Sequence, residues 1–475
     1  MSDDLRDWRD RNLNSVSKSF CAAKWYNASL HLGHGYTNSC HLPLPHPVDI
    51  DQIKVDPSTL HNTDHKKAVR EMMRVGKYPA ECSYCWKIEE IGKDNISDRV
   101  YKSLVYSEED IRKLKDLPYD YNIPLKTVEI SFDRVCNFAC SYCNAGYSTT
   151  WAKDIKKNGA YQKFKTSAAG AYATDGSWSE KFGKNNEKNP FVEAFLEWWP
   201  ELSGSLDELR VTGGEPLQSK NFWKFMEVLK KYPSEKMRFA INSNLGLNEK
   251  LLDRLIKITH DLKIREFDLY TSNESFGAHA EYIRDGLIYD QWKGNMIKFI
   301  ENAKFRALTI MMTINSLSLF SITEFLDDIM ILKEKYAPHH PNVDINILRW
   351  PGFMSPLSLP DDIKEKLHHK LKSWYEKNKE SRLFSTNEKM QIERLIDYIE
   401  NVERGHNSTE INKELMFHDF KSFYSQYDKR RKKDFKKTFP ELAEWYDSLV
   451  IDETIPNKGT NNGELTGYET GEYIQ

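Results

Sequence analysis

The chain has 475 residues, of which 39% are hydrophobic, enough for a sizeable core and more than one ordinary domain requires. Its 68 basic and 71 acidic residues nearly cancel, so net charge indicates neither a nucleic-acid partner nor a membrane surface. No apolar run approaches the roughly 20 residues that span a bilayer, and the acidic N-terminus is unlike a signal peptide. We therefore expect a cytoplasmic protein with no membrane partner.

The first 90 residues are irregular and rich in His, Pro and Asn, with short helix candidates such as 66–75. Strands are predicted from about residue 126 onward, at 126–132, 208–213, 237–244, 266–272, 307–315 and 343–350. Apolar residues at helical spacing predict helices between them, for example 221–232 and 248–259. This alternation predicts an α/β fold with a parallel sheet. Because six strands are fewer than the eight of a closed barrel, we expect a partial, open (β/α)6 barrel.

The chain after residue 360 is charged and predicted to be helical, with helices at 361–377, 388–404 and 417–435. A basic run at 428–437 is interpreted as a solvated helix face rather than a nucleic-acid contact. Residues 452–475 lack an apolar face and are predicted to be a flexible tail.

All seven cysteines lie in the first 143 residues. A reducing compartment disfavours disulfides, so clustered cysteines indicate metal ligands. Cys136, Cys140 and Cys143 form a CxxxCxxC loop that directly follows a predicted strand. Three thiolates can hold three irons of a [4Fe–4S] cube and leave the fourth iron without a protein ligand. Zinc with a histidine as fourth ligand is the alternative for this triplet.

A second motif, Gly213-Gly214-Glu215-Pro216, ends the strand predicted at 208–213. Together with the CxxxCxxC loop and the aromatic Tyr142, it resembles the radical S-adenosylmethionine (SAM) superfamily over about 126–350. The resemblance implies that the open iron site binds SAM and that electron transfer cleaves SAM to methionine and a 5′-deoxyadenosyl radical. This radical would then abstract hydrogen from a substrate.

The resemblance also implies further contacts to SAM from strand ends and from the family's conserved arginine segment, here Tyr282-Ile283-Arg284. The residues that match these family positions are Gly213, Gly214, Glu215, Asn244, Ser272, Arg284 and Asn315. For each polar residue, the alternative interpretation is an ordinary strand-end or surface side chain.

The remaining cysteines follow the order Cys21, Gly35, Cys40, Cys82 and Cys85. This pattern resembles the first half of the SPASM domain and its shorter relative, the twitch domain, which bind auxiliary [4Fe–4S] clusters. Four cysteines would hold one cluster. The pattern departs from the family because it precedes the barrel. A structural zinc site, with six nearby histidines as other possible ligands, is the alternative.

The resemblance implies an enzyme, cytoplasmic or in the host cytoplasm if phage-encoded, that oxidises or modifies a peptide or small polar molecule. It would need a reductant such as flavodoxin or ferredoxin. The alternatives are a nucleotide- or tRNA-modifying enzyme of the same superfamily and a non-catalytic iron–sulfur or zinc protein on a degenerate scaffold. Four regions are expected: a twitch-like region at 1–120, the barrel at 121–358, a helical extension at 359–451 and the tail at 452–475.

Overall fold

The structure, a computed structural model, describes residues 2–92, 95–179, 181–182, 188–339, 341–400 and 412–456. Its main sheet has nine strands: β1 (Asn27–His31), β2 (Tyr36–Asn38), β3 (His46–Pro47), β4 (Thr127–Ser131), β6 (Glu208–Thr212), β7 (Ser234–Ser243), β8 (Ile264–Ser272), β10 (Ala307–Ile314) and β11 (Asn342–Ile347). They lie in the order β11-β10-β8-β7-β6-β4-β1-β2-β3. A separate two-stranded pair joins β5 (Ala139–Cys140) to β9 (Arg284–Asp285).

The strands from β11 to β1 are parallel, and the sheet is open, which confirms the predicted α/β fold and agrees with a partial barrel. The six predicted strands are all present. A seventh parallel strand, β1, pairs with β4 and comes from the N-terminal region. Its five residues bury only Ala28 and Leu30, so the pattern is too short to stand out in the sequence.

The N-terminal region adds seven short helices to the predicted irregular chain: α1 (Ser2–Arg9), α2 (Ala23–Tyr26), α3 (Ile50–Val55), α4 (Asp64–Arg74), α5 (Ser83–Ile91), α6 (Asp98–Ser103) and α7 (Glu108–Asp116). The helix predicted at 66–75 corresponds to α4. Residues between Leu13 and Ile123 form a second hydrophobic core, separate from the core of the barrel. Most of these helices have fewer than ten residues, so they depend on this packing rather than on intrinsic helix propensity.

Seven helices cover the barrel: α8 (Thr149–Asn158), α9 (Pro190–Leu202), α10 (Lys220–Lys231), α11 (Glu249–Asp261), α12 (Gly277–Ile283), α13 (Tyr289–Asn302) and α14 (Ile322–Lys335). The helices predicted at 221–232 and 248–259 are confirmed as α10 and α11. Ser219 and Asn248 cap them by accepting hydrogen bonds from the backbone amides of Phe222 and Leu251.

The C-terminal extension consists of α15 (Asp361–Asn378), α16 (Thr386–Glu400), α17 (Lys413–Arg431), α18 (Phe435–Thr438) and α19 (Ala443–Ser448), which agrees with its predicted helical character. Helix α16 covers the edge strand β11. The carboxylate of Glu388 accepts from the Val343 amide at 2.8 Å, and the Gln391 side chain accepts from the Ile345 amide at 2.6 Å. These side chains replace the missing neighbouring strand and protect the edge of the sheet.

The interpretation of the basic run as a solvated face is wrong for its two arginines. The Arg431 side chain is 6% exposed and pairs with Asp154 and with Asp285, at 3.5 Å and 2.8 Å. Arg430 donates to the carbonyl oxygen of Gly159 at 2.8 Å and lies over the ring of Tyr161. The long-range partners that bury these cations are invisible in the local sequence.

Residues 452–456, at the start of the predicted tail, contact the barrel: Lys163 donates to the carbonyl oxygens of Glu453 and Ile455. The rest of the predicted tail, 457–475, lies outside the described residues. Within the part of the chain that the structure describes, no helix is both long and apolar enough to cross a bilayer.

Replacing Glu388 with alanine should destabilise the fold strongly. Glu388 also pairs with the fully buried ammonium group of Lys333 at 2.7 Å, so its loss leaves a buried charge and the Val343 amide without their partner. We expect Glu388→Ala to lower the free energy of unfolding by about 3–5 kcal/mol, measured by urea denaturation. The exposed neighbour variant Asn387→Ala should change little, and an equal effect of both variants would contradict this account.

Candidate functional site

The three-cysteine loop follows the carboxyl end of β4, where ligands bind in parallel α/β sheets. Cys136, Cys140 and Cys143 are all partly exposed on it. Cys140 is fixed by the β5–β9 pair, in which it lies opposite Arg284, and the next amide, of Ser141, donates to the Ile283 carbonyl oxygen at 2.7 Å. The loop is therefore held mainly by its backbone, and the thiols make only long contacts within it, such as that of the Cys136 sulfur with the Phe138 amide at 3.4 Å.

Two aromatic side chains hold the backbone of this loop, and the C-terminal extension packs against both of them. The Trp151 indole donates to the Cys140 carbonyl oxygen at 2.9 Å, and the Tyr172 hydroxyl donates to the Ser141 carbonyl oxygen at 2.9 Å. Phe423 of α17 packs against both rings, with centroids 6.3 Å and 4.8 Å away. Sequence reasoning missed this support because the contacts join segments more than 250 residues apart.

Burial raises the pKa of the thiols, and polar side chains lie near two of the sulfur atoms. Burial, together with the neighbouring Cys140, raises the pKa of Cys143 to about 12, and burial raises the pKa of Cys140. Side-chain nitrogens of Asn244 and Arg284 each lie 3.8 Å from a cysteine sulfur, those of Cys136 and Cys140 respectively. Because cysteine ligates metals as the thiolate rather than the thiol, the binding of a cationic group would have to supply the free energy that ionises these thiols.

Arg284 belongs to a buried group that sequence reasoning found only in part. Its guanidinium pairs with the carboxylate of Glu274, Nε donating at 3.0 Å, and lies 5.5 Å from the centre of the Tyr142 ring. The Tyr142 hydroxyl donates to the same carboxylate at 3.2 Å. Glu274 fixes the arginine beside Cys140. The only signal for it in the sequence was an acidic residue two positions after the end of a predicted strand.

Glu215 is buried next to the loop. Its carboxylate accepts from the Ser243 hydroxyl at 2.9 Å and from the Asn244 and Leu217 amides at 2.6 Å and 3.1 Å. Burial outweighs these hydrogen bonds and raises the pKa of Glu215 to about 7. Near neutral pH the carboxyl group can therefore take either charge state, and a cationic ligand beside it would favour the carboxylate.

The two glycines before Glu215 permit a close backbone approach. Gly213 has φ +121°, a conformation that side chains disfavour. A Cβ atom on Gly214 would lie 2.4 Å from the carbonyl oxygen of Val135, immediately before Cys136. The glycines thus allow the 213–216 turn to pack on the cysteine loop, and the Glu215 amide donates to Val135 at 2.6 Å.

The remaining predicted ligands lie at the same edge of the sheet. Ser272 is half-buried at the end of β8. The Asn315 side chain is engaged by its own turn, since it accepts from the amides of Leu317 and Ser318. Two buried polar atoms at neighbouring strand ends have no partner within the described structure, namely Asn242 Oδ1 and Asn273 Nδ2. Such atoms are available to a polar ligand.

The other four cysteines, although up to 64 positions apart in the sequence, line a single cavity in the second core: Cys21, Cys40, Cys82 and Cys85. Burial raises the pKa of Cys82 and of Cys85 to about 12. This donor set fits an iron–sulfur cluster or zinc, both of which take four thiolates. Among the residues with described side chains, none of the six histidines lines this cavity, and no three His, Cys, Asp or Glu side chains are placed to share a single metal ion.

A larger cavity of about 540 Å³ lies between the two cysteine groups. Cys143 and Tyr142 line it on one side, and the segment that follows Cys40 lines it on the other. Pro43 borders both this cavity and the four-cysteine cavity, so a single stretch of chain separates them. Burial, with a smaller effect of Lys66, lowers the pKa of His31 to about 4, so its imidazole is a neutral part of the wall.

Adding one methyl group at Gly214 should disrupt the three-cysteine loop. The new Cβ meets the Val135 carbonyl oxygen, so the backbone must shift. We expect Gly214→Ala to cost roughly 1–3 kcal/mol of stability and to lower the iron content of anaerobically reconstituted protein, measured by urea denaturation and iron analysis. Gly294, exposed in α13 with no atom within 4 Å of an added Cβ, is the matched control. Gly294→Ala should gain about 0.5–1 kcal/mol, and similar iron loss in both variants would refute the argument.

The raised pKa of Glu215 should make the stability of the metal-free protein depend on pH. The folded state keeps a proton that the unfolded chain releases, so the free energy of unfolding falls as pH rises from 4.5 to about 7. The expected loss is about 3 kcal/mol, measured by urea denaturation across this window. Glu215→Gln should remove this component, and an identical pH dependence in the variant would contradict the assignment.

The chain is similar to known proteins over part of its length. The sequence model of the Radical SAM superfamily matches residues 130–329. No curated protein matches the chain. Similar solved structures include "Native anSMEcpe with bound AdoMet", at 13% identity over 54% of this chain and 61% of that chain, with a TM-score of 0.33. SuiB of Streptococcus suis bound to S-adenosylmethionine matches at 15% identity over 66% of this chain and 64% of that chain, with a TM-score of 0.31.

The matched parts thus span less than two thirds of the length of either solved protein. The family match includes the three-cysteine loop, the glycine turn with Glu215, and Arg284. The chain therefore contains a radical SAM superfamily domain at residues 130–329.

Proposed function

We propose that the protein is an enzyme that binds a [4Fe–4S] cluster through Cys136, Cys140 and Cys143 and cleaves SAM reductively. The observation that carries the proposal is the group of three partly exposed thiols, presented on one backbone-held loop next to the buried carboxyl group of Glu215. When bound there, the cluster would supply an open iron site for SAM and the electron that releases a 5′-deoxyadenosyl radical.

The side chains around the loop have roles that their contacts support. The Glu215 carboxylate, held by three hydrogen-bond donors, would accept from the ammonium group of SAM. Arg284 is held rigidly by Glu274 and would stabilise negative charge at the Cys140 side of the site. Asn244, Ser272 and the strand end at Asn315 would offer polar groups to the rest of SAM. The unpartnered side-chain atoms of Asn242 and Asn273 would do the same.

We further propose that Cys21, Cys40, Cys82 and Cys85 hold an auxiliary [4Fe–4S] cluster of the SPASM/twitch type, with zinc as the alternative. Four thiolates leave no open iron, so this group would transfer electrons rather than bind SAM. The shared wall at Pro43 between its cavity and the larger cavity supports electron exchange with a substrate bound there. The division into regions 1–120, 121–358, 359–451 and 452–475 belongs to the same proposal.

The substrate that this arrangement favours is a peptide or small polar molecule that loses two electrons in total. The cavity of about 540 Å³ has the size of a typical small-ligand site, and it is walled by aromatic side chains such as Trp178 and Trp350 together with polar groups such as Glu129. A hydrogen atom would leave toward the SAM site, an electron toward the four-cysteine site and a proton to solvent, which together balance a two-electron oxidation. A reductant such as flavodoxin or ferredoxin would restore the electron used to cleave SAM.

The test is the iron content and SAM turnover of anaerobically reconstituted protein and of two variants, Cys136→Ala/Cys140→Ala/Cys143→Ala and Cys21→Ala/Cys40→Ala/Cys82→Ala/Cys85→Ala. We expect about eight irons in the wild type and about four in each variant. With dithionite and SAM, 5′-deoxyadenosine should form in the wild type and not in the triple variant. Iron-free wild type that leaves SAM intact would refute the enzyme proposal. Four irons with retained zinc would refute only the auxiliary cluster.

A further inference from the structure

Three cations are buried beside the four-cysteine cavity. Lys24, Lys66 and Arg70 are 3%, 1% and 0% exposed. Lys24 lines the cavity itself. Helix α4 carries Lys66, Arg70 and Met73 at helical spacing on one buried face, and Met73 also lines the cavity. The arginine donates to the carbonyl oxygen of Lys24 at 3.2 Å, and the His61 imidazole contacts both Arg70 and Lys66, so the three residues form one contiguous group.

These cations have too few anionic partners. The Lys24 ammonium pairs with the Glu81 carboxylate. The Lys66 ammonium donates to the Thr37 hydroxyl at 2.9 Å and approaches the His61 imidazole at 3.4 Å.

Arg70 contacts only neutral groups as well, including the amide oxygen of Asn62 at 3.1 Å. Burial lowers the pKa of His61 well below its ordinary range, so that imidazole adds no negative charge. Within the described residues, no aspartate or glutamate lies within 4.0 Å of the charged groups of Lys66 or Arg70.

Buried cations without anionic partners cost free energy, so a protein that retains two of them, Lys66 and Arg70, beside the paired Lys24 needs a further source of negative charge. The four-cysteine cavity can supply it. Burial lowers the pKa of Lys24, but the charges of Cys82, Glu81 and Cys40 outweigh burial and raise it above its ordinary value. Burial, with Arg70 and Lys24, lowers the pKa of Lys66 well below its ordinary value, and the charges of Glu81 and Cys40 act against this lowering. An anionic group bound in the cavity would therefore favour the charged form of Lys66.

We propose that Lys24, Lys66 and Arg70 are the counter-charge of the auxiliary cluster and raise its reduction potential, so that it holds an added electron more strongly. The inference rests on the proposed function, in which the four cysteines bind an iron–sulfur cluster. A four-thiolate cluster is anionic and gains one more negative charge on reduction, and nearby cations in a low-dielectric core stabilise the reduced form more than the oxidised form. The three residues are positioning residues that act through the cluster.

The test is an anaerobic redox titration of the auxiliary cluster, monitored by electron paramagnetic resonance. Three proteins are compared: one that keeps both Lys66 and Lys67, the Lys66→Met variant and the Lys67→Met variant. All three proteins carry the Cys136→Ala/Cys140→Ala/Cys143→Ala background, so that the signal comes from one cluster. Lys66→Met should lower the equilibrium constant for reduction about tenfold, a shift of about 59 mV to lower potential. Lys67 is the matched control because it is adjacent on α4 but half-exposed, so water screens its charge. Equal potentials in all three proteins would overturn the inference.

If the Lys66→Met variant binds the cluster poorly, the melting temperatures of the metal-free and cluster-bound proteins provide a second test. Removing an unpaired buried cation should leave the melting temperature of the metal-free protein unchanged or higher, and should reduce the rise that cluster loading produces. A residue that only packs would shift both forms equally, which would refute the counter-charge role. Iron analysis of the background protein distinguishes the two proposals: absence of the cluster there refutes the proposed function, whereas a bound cluster with an unshifted potential refutes only this inference.

Discussion

The site depends on hydrogen bonds to the backbone of the three-cysteine loop, which fix the loop mainly through groups other than its thiols. The carbonyl oxygens of Cys140 and Ser141 accept from Trp151 and Tyr172, and the Ser141 amide donates to the carbonyl oxygen of Ile283, the last residue of α12. This constraint explains several distant features of the chain. Gly213 and Gly214 must lack side chains so that the 213–216 turn can pack on the loop. Phe423 of helix α17 packs against Tyr172, one of the side chains that hold the loop. The C-terminal extension is thus part of the support of the site.

The N-terminal region is tied into the same framework rather than appended to it. Strand β1 continues the parallel sheet next to β4, and the chain after it enters the wall between the two cysteine cavities. The four cysteines that precede the barrel in sequence can therefore lie close to the larger cavity in space. Sequence order does not determine this proximity, because strands β1, β2 and β3 extend the sheet beyond β4 and join the region to the barrel.

Much of the barrel could be predicted because its signals are local. Strands at 208–212 and 307–314 show alternating burial, and the motifs around Cys136 and Glu215 occur at strand ends where parallel sheets bind ligands. The missed features all depend on contacts between distant segments. Strand β1 is short, Glu274 is recognisable only through its partner Arg284, and the basic residue Arg431 is buried by carboxylates from two other elements.

The central claim is that the three-cysteine loop presents an iron–sulfur cluster with one iron open to SAM. The most direct measurement is Mössbauer spectroscopy of protein reconstituted with isotopically enriched iron, using the variant that lacks Cys21, Cys40, Cys82 and Cys85, before and after SAM is added. The account predicts a cubane spectrum in which a single iron site changes when SAM binds, because only that iron lacks a thiolate ligand. A cluster whose spectrum is identical with and without SAM would contradict the account.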